Sequence, residues 1–154
     1  MILTRPISRT PWRRAVAVGA LWTVSYNLIW AVAWFGFMRA EWTRAAAAIA
    51  RPMPWTAEIW FICTVLTIPL GTGVAVFLVG QRYRLYRAAL MSGVTIWLVF
   101  AGGLSFHGRS QGFAARVLAF DAAITLLAVV VAALAAAWAL DDGESRAAHS
   151  STLL

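Results

Sequence analysis

Residues 117–140 read VLAFDAAITLLAVVVAALAAAWAL, an apolar run broken only by Asp121. About twenty residues rising 1.5 Å each cross a hydrocarbon core of roughly 30 Å, so this stretch can span a bilayer as one helix. Three stretches upstream share its character. Ala15–Met38 carries no charge, Trp55–Gly80 is broken only by Glu58, and Ala88–Phe106 is uncharged. The chain is 62% hydrophobic, with a mean hydropathy of +0.75. A soluble fold would leave too much of that surface without a partner. The pattern predicts an all-α integral membrane protein: four transmembrane helices in an up-down bundle. It forms a single membrane domain over 1–154, with spans at about 15–38, 55–80, 88–106 and 117–140, and the lipid bilayer is its first partner.

The net charge is +7, from arginine alone. In a soluble protein such a balance points to nucleic acid. Here the arginines stand at span ends, where the positive-inside rule and anionic headgroups account for them, and no nucleic-acid partner is expected. Arg5, Arg9, Arg13, Arg14, Arg82, Arg84, Arg87 and Arg146 fall on one side; Arg39, Arg44, Arg51, Arg109 and Arg116 fall on the other. The denser side predicts both termini in the cytoplasm, in a multi-pass protein of the bacterial inner membrane. Ala15–Met38 exceeds the usual signal-peptide core of roughly 7–15 residues and no small-x-small cleavage site follows it, so it reads as a retained anchor.

Between the first two spans, Trp42, Ala45, Ala46, Ile49 and Met53 recur at helical spacing before Pro52 and Pro54 interrupt. This predicts a short helix lying on the outer membrane surface. Pro69, followed by Gly71 and Gly73, predicts a kink in the second span. In the fourth span Ala128, Ala132 and Ala136 form a small-residue face that lets another helix approach closely, and Gly102–Gly103 offers the same in the third. Asn27 lies near mid-span beside Thr23, Tyr26, Trp30 and Trp34. An amide facing lipid is costly, so Asn27 faces another helix, as an interhelical link or in the wall of a small pocket. The tail 141–154 is polar and small-residue-rich, and it is expected to be poorly ordered.

Candidate chemistry is sparse. Glu58 and Asp121 are the two acids within the apolar runs. With cytoplasmic termini both lie near helix N-termini on the outer side, where the macrodipole favours a carboxylate. Arg51, His107, Arg109 and Arg116 belong to the same layer, so a polar, ion-paired cluster is expected there. If the fourth helix starts at Val117, Asp121 lies about 6 Å deep and needs a partner. If the apolar part is Ala122–Leu140, it is interfacial, and that is the expectation carried forward. Cys63 is the single cysteine, so no disulfide framework or thiol metal site exists. His107 and His149 are the only histidines. Paired-histidine haem ligation and zinc spacings are excluded, and His107 remains at most a lone ligand for a pigment or metal. No nucleophile elbow or dinucleotide fingerprint is present. No catalytic residue, cofactor or metal site is expected, and the chain is not read as an enzyme.

From Pro54 to Tyr86 the stretch PWTAEIWFICTVLTIPLGTGVAVFLVGQRYRLY resembles the second-helix region of the small membrane subunit of tripartite (TRAP-type) solute transporters. Trp55, Glu58, Gly71 and Arg82–Arg84 carry the likeness. Ile59-Trp60-Phe61 stands where that family usually has an arginine. The resemblance implies a non-catalytic partner of a larger transport subunit, with no substrate ligands of its own. Two functions follow as expectations. The first is a non-catalytic subunit packed among other integral membrane subunits of a larger inner-membrane complex, for transport or energy conversion. The second is a small homo-oligomeric proton-coupled transporter or exporter using Glu58 or Asp121.

Overall fold

A computed structural model describes the backbone of residues 12–80 and 84–152, and the side chains of 15–80 and 84–142. Arg5, Arg9 and Arg82, and the side chains of Arg13, Arg14 and Arg146, which the arginine count used, lie outside the described residues. The elements in order are α1 (Trp12–Ala33), a π-helical turn (Trp34–Met38), α2 (Arg39–Ala48), α3 (Ala57–Val79), α4 (Leu85–Ser110) and α5 (Ala115–Thr152). Among the described residues there is no strand. Ala15–Ala48, Ala57–Val79, Leu85–Ser110 and Ala115–Asp142 are each long and apolar enough to cross a membrane. The fold is that of a multi-pass, all-helical membrane protein.

α1 runs into α2 without a break. The sequence predicted a surface helix set apart from the first span; the helix is present over Arg39–Ala48, but Met38 and Arg39 both keep right-handed helical dihedrals at the junction. The reason is a stripe at four-residue spacing. Trp22, Trp30, Trp34, Met38, Trp42 and Ala46 are all buried, with Tyr26 partly so. On an α-helix four residues advance about 400°, an overshoot of roughly 40° per step, so such a stripe drifts off the packed face. The wider π turn at Trp34–Met38 takes back part of that drift and keeps Trp42 and Ala46 pointed at the bundle. α2 ends in a Schellman motif: Arg51 N–H donates to Ala46 O at 3.0 Å and Ala50 N–H to Ala47 O at 3.1 Å. Ala50 takes the left-handed conformation there, at φ 52°.

The remaining helices are antiparallel to their sequence neighbours. Gly19 and Trp22 of α1 meet Gly71 and Thr72 of α3, while nearer the other end Trp34 meets Trp60. Trp97 of α4 bonds Ala122 of α5, and Gly93 faces Val130. α5 packs along α4 and α1, and α1 along α3, whereas α3 and α4 barely touch although they follow one another in the chain. The bundle is therefore a row, α3–α1–α5–α4, whose outer members leave a seam between them.

Ala128, Ala132 and Ala136 are fully buried. The small-residue face of α5 is thus a contact surface, spent within this chain on α1 and α4. Gly102 and Gly103 have nothing within 4 Å of a built Cβ and take no part in packing. Pro69 leaves the Val65 carbonyl without its usual donor, yet α3 is helical without interruption to Val79. Gly71 lies where α3 meets α1: a Cβ there would stand 2.7 Å from Gly19 O and from Thr23 Oγ1. Gly73 meets nothing. The tail also departs from expectation, since α5 continues to Thr152. Adding residues to an existing helix avoids the nucleation cost, and the tail's alanines, Glu144 and Arg146 are good enough helix formers to be carried along.

Candidate functional site

The expected ion-paired cluster does not form. Glu58 is exposed in the first turn of α3, behind the Thr56 cap whose hydroxyl accepts from Ile59 N–H at 3.3 Å. Its position suits the helix dipole and needs nothing more. Arg109 donates to Phe113 O at 3.2 Å, Arg116 lies over the Phe120 ring at 5.7 Å, and His107 Nε2 sits 2.6 Å from Gln111 Nε2. Each answers to a neighbour four residues away, because long side chains at helix ends reach local groups first. Arg44 and Glu41 form an ion pair. Among the described residues, none is formed by Glu58 or Asp121.

Asp121 differs from these groups. It is fully buried, and both carboxylate oxygens lack a hydrogen-bond partner. It lies about 9 Å along α5 from Ala115. Depth along its own helix underestimates its burial, because α2 and the aromatic residues around it close over that end. Trp42, 1% exposed, packs edge-on against Phe113 with ring centroids 5.0 Å apart. The Trp42 indole is the side-chain group that bears on the carboxylate, short of hydrogen-bond geometry.

Asp121 and Thr125 form one wall of a cavity of about 140 Å³. α1 contributes Tyr26, Asn27 and Trp30; α3 contributes Trp60, Cys63, Thr64 and Thr67, with Trp55 from the segment before it; Phe100 and Leu104 of α4 close the far side. The cavity therefore occupies the α3/α4 seam. Its rings are mutually braced: Trp30 meets Trp60 at 6.2 Å and 81°, Trp34 meets Trp60 at 5.5 Å, and Trp42 meets Trp55 at 6.0 Å and 82°. The indole N–H groups of Trp30, Trp55 and Trp60, like those of Trp22 and Trp42, are buried and without partners.

The polar groups of α1 and α3 behave differently. Asn27 Nδ2 donates to Thr67 Oγ1 at 2.9 Å and to Thr23 O at 2.8 Å, and Thr23 Oγ1 donates to Thr67 O at 3.1 Å. Asn27 is thus both an interhelical link and part of the cavity wall. These satisfied amide and hydroxyl groups stand beside a carboxylate and indole N–H groups that are not satisfied.

A second depression, of about 320 Å³, opens at the same end of the bundle between Arg51, Pro52, Met53, His107 and Gln111. Trp55 and Leu104 line both spaces.

No family model, curated protein or solved structure matches this chain.

Among the described residues, no group of three or more His, Cys, Asp or Glu side chains is placed to hold a metal ion. Of the residues singled out from sequence, the fold brings Asn27 and Asp121 to one cavity and leaves Glu58, Arg51, Arg109, Arg116 and His107 outside it. Trp55, Trp60, Cys63 and Thr67 were missed as site residues. The spacing of Trp30, Trp34 and Trp42 was a usable signal for the aromatic stripe. Nothing local showed that Trp55 and Trp60 would meet it.

Proposed function

We propose that this chain is a small proton-coupled membrane transporter, with Asp121 as the coupling carboxylate and the aromatic cavity as the substrate site. The observation that carries the reading is the fully buried carboxylate with neither oxygen paired, on the wall of a cavity inside a membrane bundle. Burying such a group is costly unless it holds a proton or a counter-charge. Intramembrane ionisable residues of this kind mark ion or proton pathways far more often than they serve packing. The depression beyond Trp55 and Leu104 supplies an approach from one face, and the α3/α4 seam supplies one from lipid. Both termini lie in the cytoplasm of a bacterium, the chain resides in the inner membrane, and α2 caps the bundle at the outer interface. A reporter fused after Leu154 should therefore be active only on the cytoplasmic side; periplasmic activity would reverse this orientation.

The decisive measurement is dissipation of a pH gradient across vesicles holding the purified protein alone, on adding small amines, amino acids or organic acids in turn. One class should collapse the gradient. Asp121→Asn should abolish that response and Glu58→Gln should preserve it, since an amide cannot carry the proton and Glu58 lies outside the cavity. Dissipation by the Asn variant at the wild-type rate, or by no class at all, would overturn the proposal.

The open seam favours a second reading, in which a helix of another membrane subunit fills it. The Ala128/Ala132/Ala136 face does not add to that reading, because it is occupied within the chain. Native mass spectrometry after gentle extraction separates the two: a stoichiometric foreign subunit favours the second, a single-component oligomer the first.

A further inference from the structure

The cavity's own walls narrow the ligand class, on the premise that it is a binding site. We propose that it takes a small organic monocation bearing a hydroxyl or other acceptor oxygen, held between the Asp121 carboxylate and the ring faces of Trp30, Trp55, Trp60 and Tyr26. The charge argument comes first. No arginine or histidine lines the cavity, so an anion would meet a carboxylate with no cation to offset it. A cation suits Asp121, which borders the cavity and whose two buried oxygens are unengaged. It also meets aromatic faces, which carry the negative part of the ring quadrupole and attract cations best when water is excluded.

The donor inventory gives the second feature. Trp55 and Trp60, which line the cavity, have buried N–H groups with no acceptor. An indole nitrogen donates and does not accept, so an oxygen on the ligand suits them and a second ammonium does not. Size gives the third. At about 140 Å³ the space is of the order that holds one benzene, about 150 Å³, which admits a trimethylammonium group with a short arm.

The carboxylate then holds either a proton or the cation, one at a time, which is the exchange that a coupled transporter requires. The other titratable groups facing the cavity are Tyr26 from α1 and Cys63 from α3; α2 brings only the Trp42 indole toward the carboxylate, α4 presents Phe100 and Leu104, and α5 adds Thr125. Binding is therefore accompanied by release of one proton from Asp121.

The test is equilibrium binding by calorimetry to the full chain in lipid nanodiscs, with choline and with 3,3-dimethylbutan-1-ol. These probes share size, shape and hydroxyl and differ in charge. Choline should bind saturably at one site and release a proton; the alcohol should bind at least tenfold more weakly, or not at all. Asp121→Asn should weaken choline by tenfold or more and erase the proton release. Trp60→Phe should weaken it less than Trp60→Leu, because phenylalanine keeps a ring face. Equal binding of the two probes, choline binding that ignores Asp121, or no choline binding would each overturn the inference. The transporter reading fails separately: choline binding without coupled flux removes transport and leaves the site, and coupled flux of another class without choline binding does the reverse.

Discussion

Gly71→Ala is expected to lower stability by roughly 1–3 kcal/mol, while Gly73→Ala, two residues along the same helix, should leave it unchanged or raise it by about 0.5–1 kcal/mol. Both replacements add one methyl and both improve helix propensity. They differ in what the methyl meets. At Gly71 it would lie 2.7 Å from Gly19 O, 2.7 Å from Thr23 Oγ1 and 2.9 Å from Trp22. One of these is backbone of α1, and it cannot turn aside, so α1 and α3 must move apart. At Gly73 nothing lies within 4 Å. Separation of α1 from α3 would also stretch the Thr23–Thr67 and Asn27–Thr67 hydrogen bonds, which add to the loss. Gly108→Ala is the informative third variant. Its built Cβ would come within 2.5 Å of Leu118, but the atoms met are the tip of a flexible side chain, and a small penalty is expected. Unfolding midpoints of the three variants in one detergent check the order. Equal midpoints for Gly71→Ala and Gly73→Ala would mean that the α1–α3 crossing is looser than described.

The spans were legible in the sequence because they depend on length and mean polarity, which need no knowledge of neighbours. The alanine face of α5 was legible for a related reason: small residues at spacings of four define one side of a helix before any partner is known. That the partner is α1 and α4 of the same chain was not. Proximity of helices is a tertiary fact, and 128, 132 and 136 read the same whether the facing helix is internal or foreign. The site failed to show itself for a sharper reason. Asp121 was placed by its distance from the end of its own apolar run, which locates it at the interface. Its burial comes from another part of the chain: the π turn redirects α2, Trp42 arrives over α5, and Phe113 seals the turn below it. The arginines were grouped with it by membrane depth alone, and depth does not decide contact when each has a carbonyl or ring within its own turn.

Asp121→Leu is expected to stabilise the fold by about 1–3 kcal/mol while removing coupled flux altogether. The wild-type chain keeps two carboxylate oxygens buried without protein partners, and leaving polar atoms unsatisfied in a low-dielectric interior costs free energy that folding must offset elsewhere. Leucine removes both atoms. Its extra volume has somewhere to go, because the position borders a cavity of about 140 Å³ rather than a filled core, so overpacking is avoided. Asp121→Asn serves as the control. It keeps nearly the same shape and still buries unpaired polar atoms, so its stability should change little although flux is lost. The ordering Leu above Asn and wild type, read from unfolding midpoints in one detergent, distinguishes a carboxylate retained at a cost for function from one that holds the bundle together. A lower midpoint for the Leu variant would mean that Asp121 carries a structural partner, such as a bound water or ion bridging the helices. The case for a coupling group would then rest on flux alone.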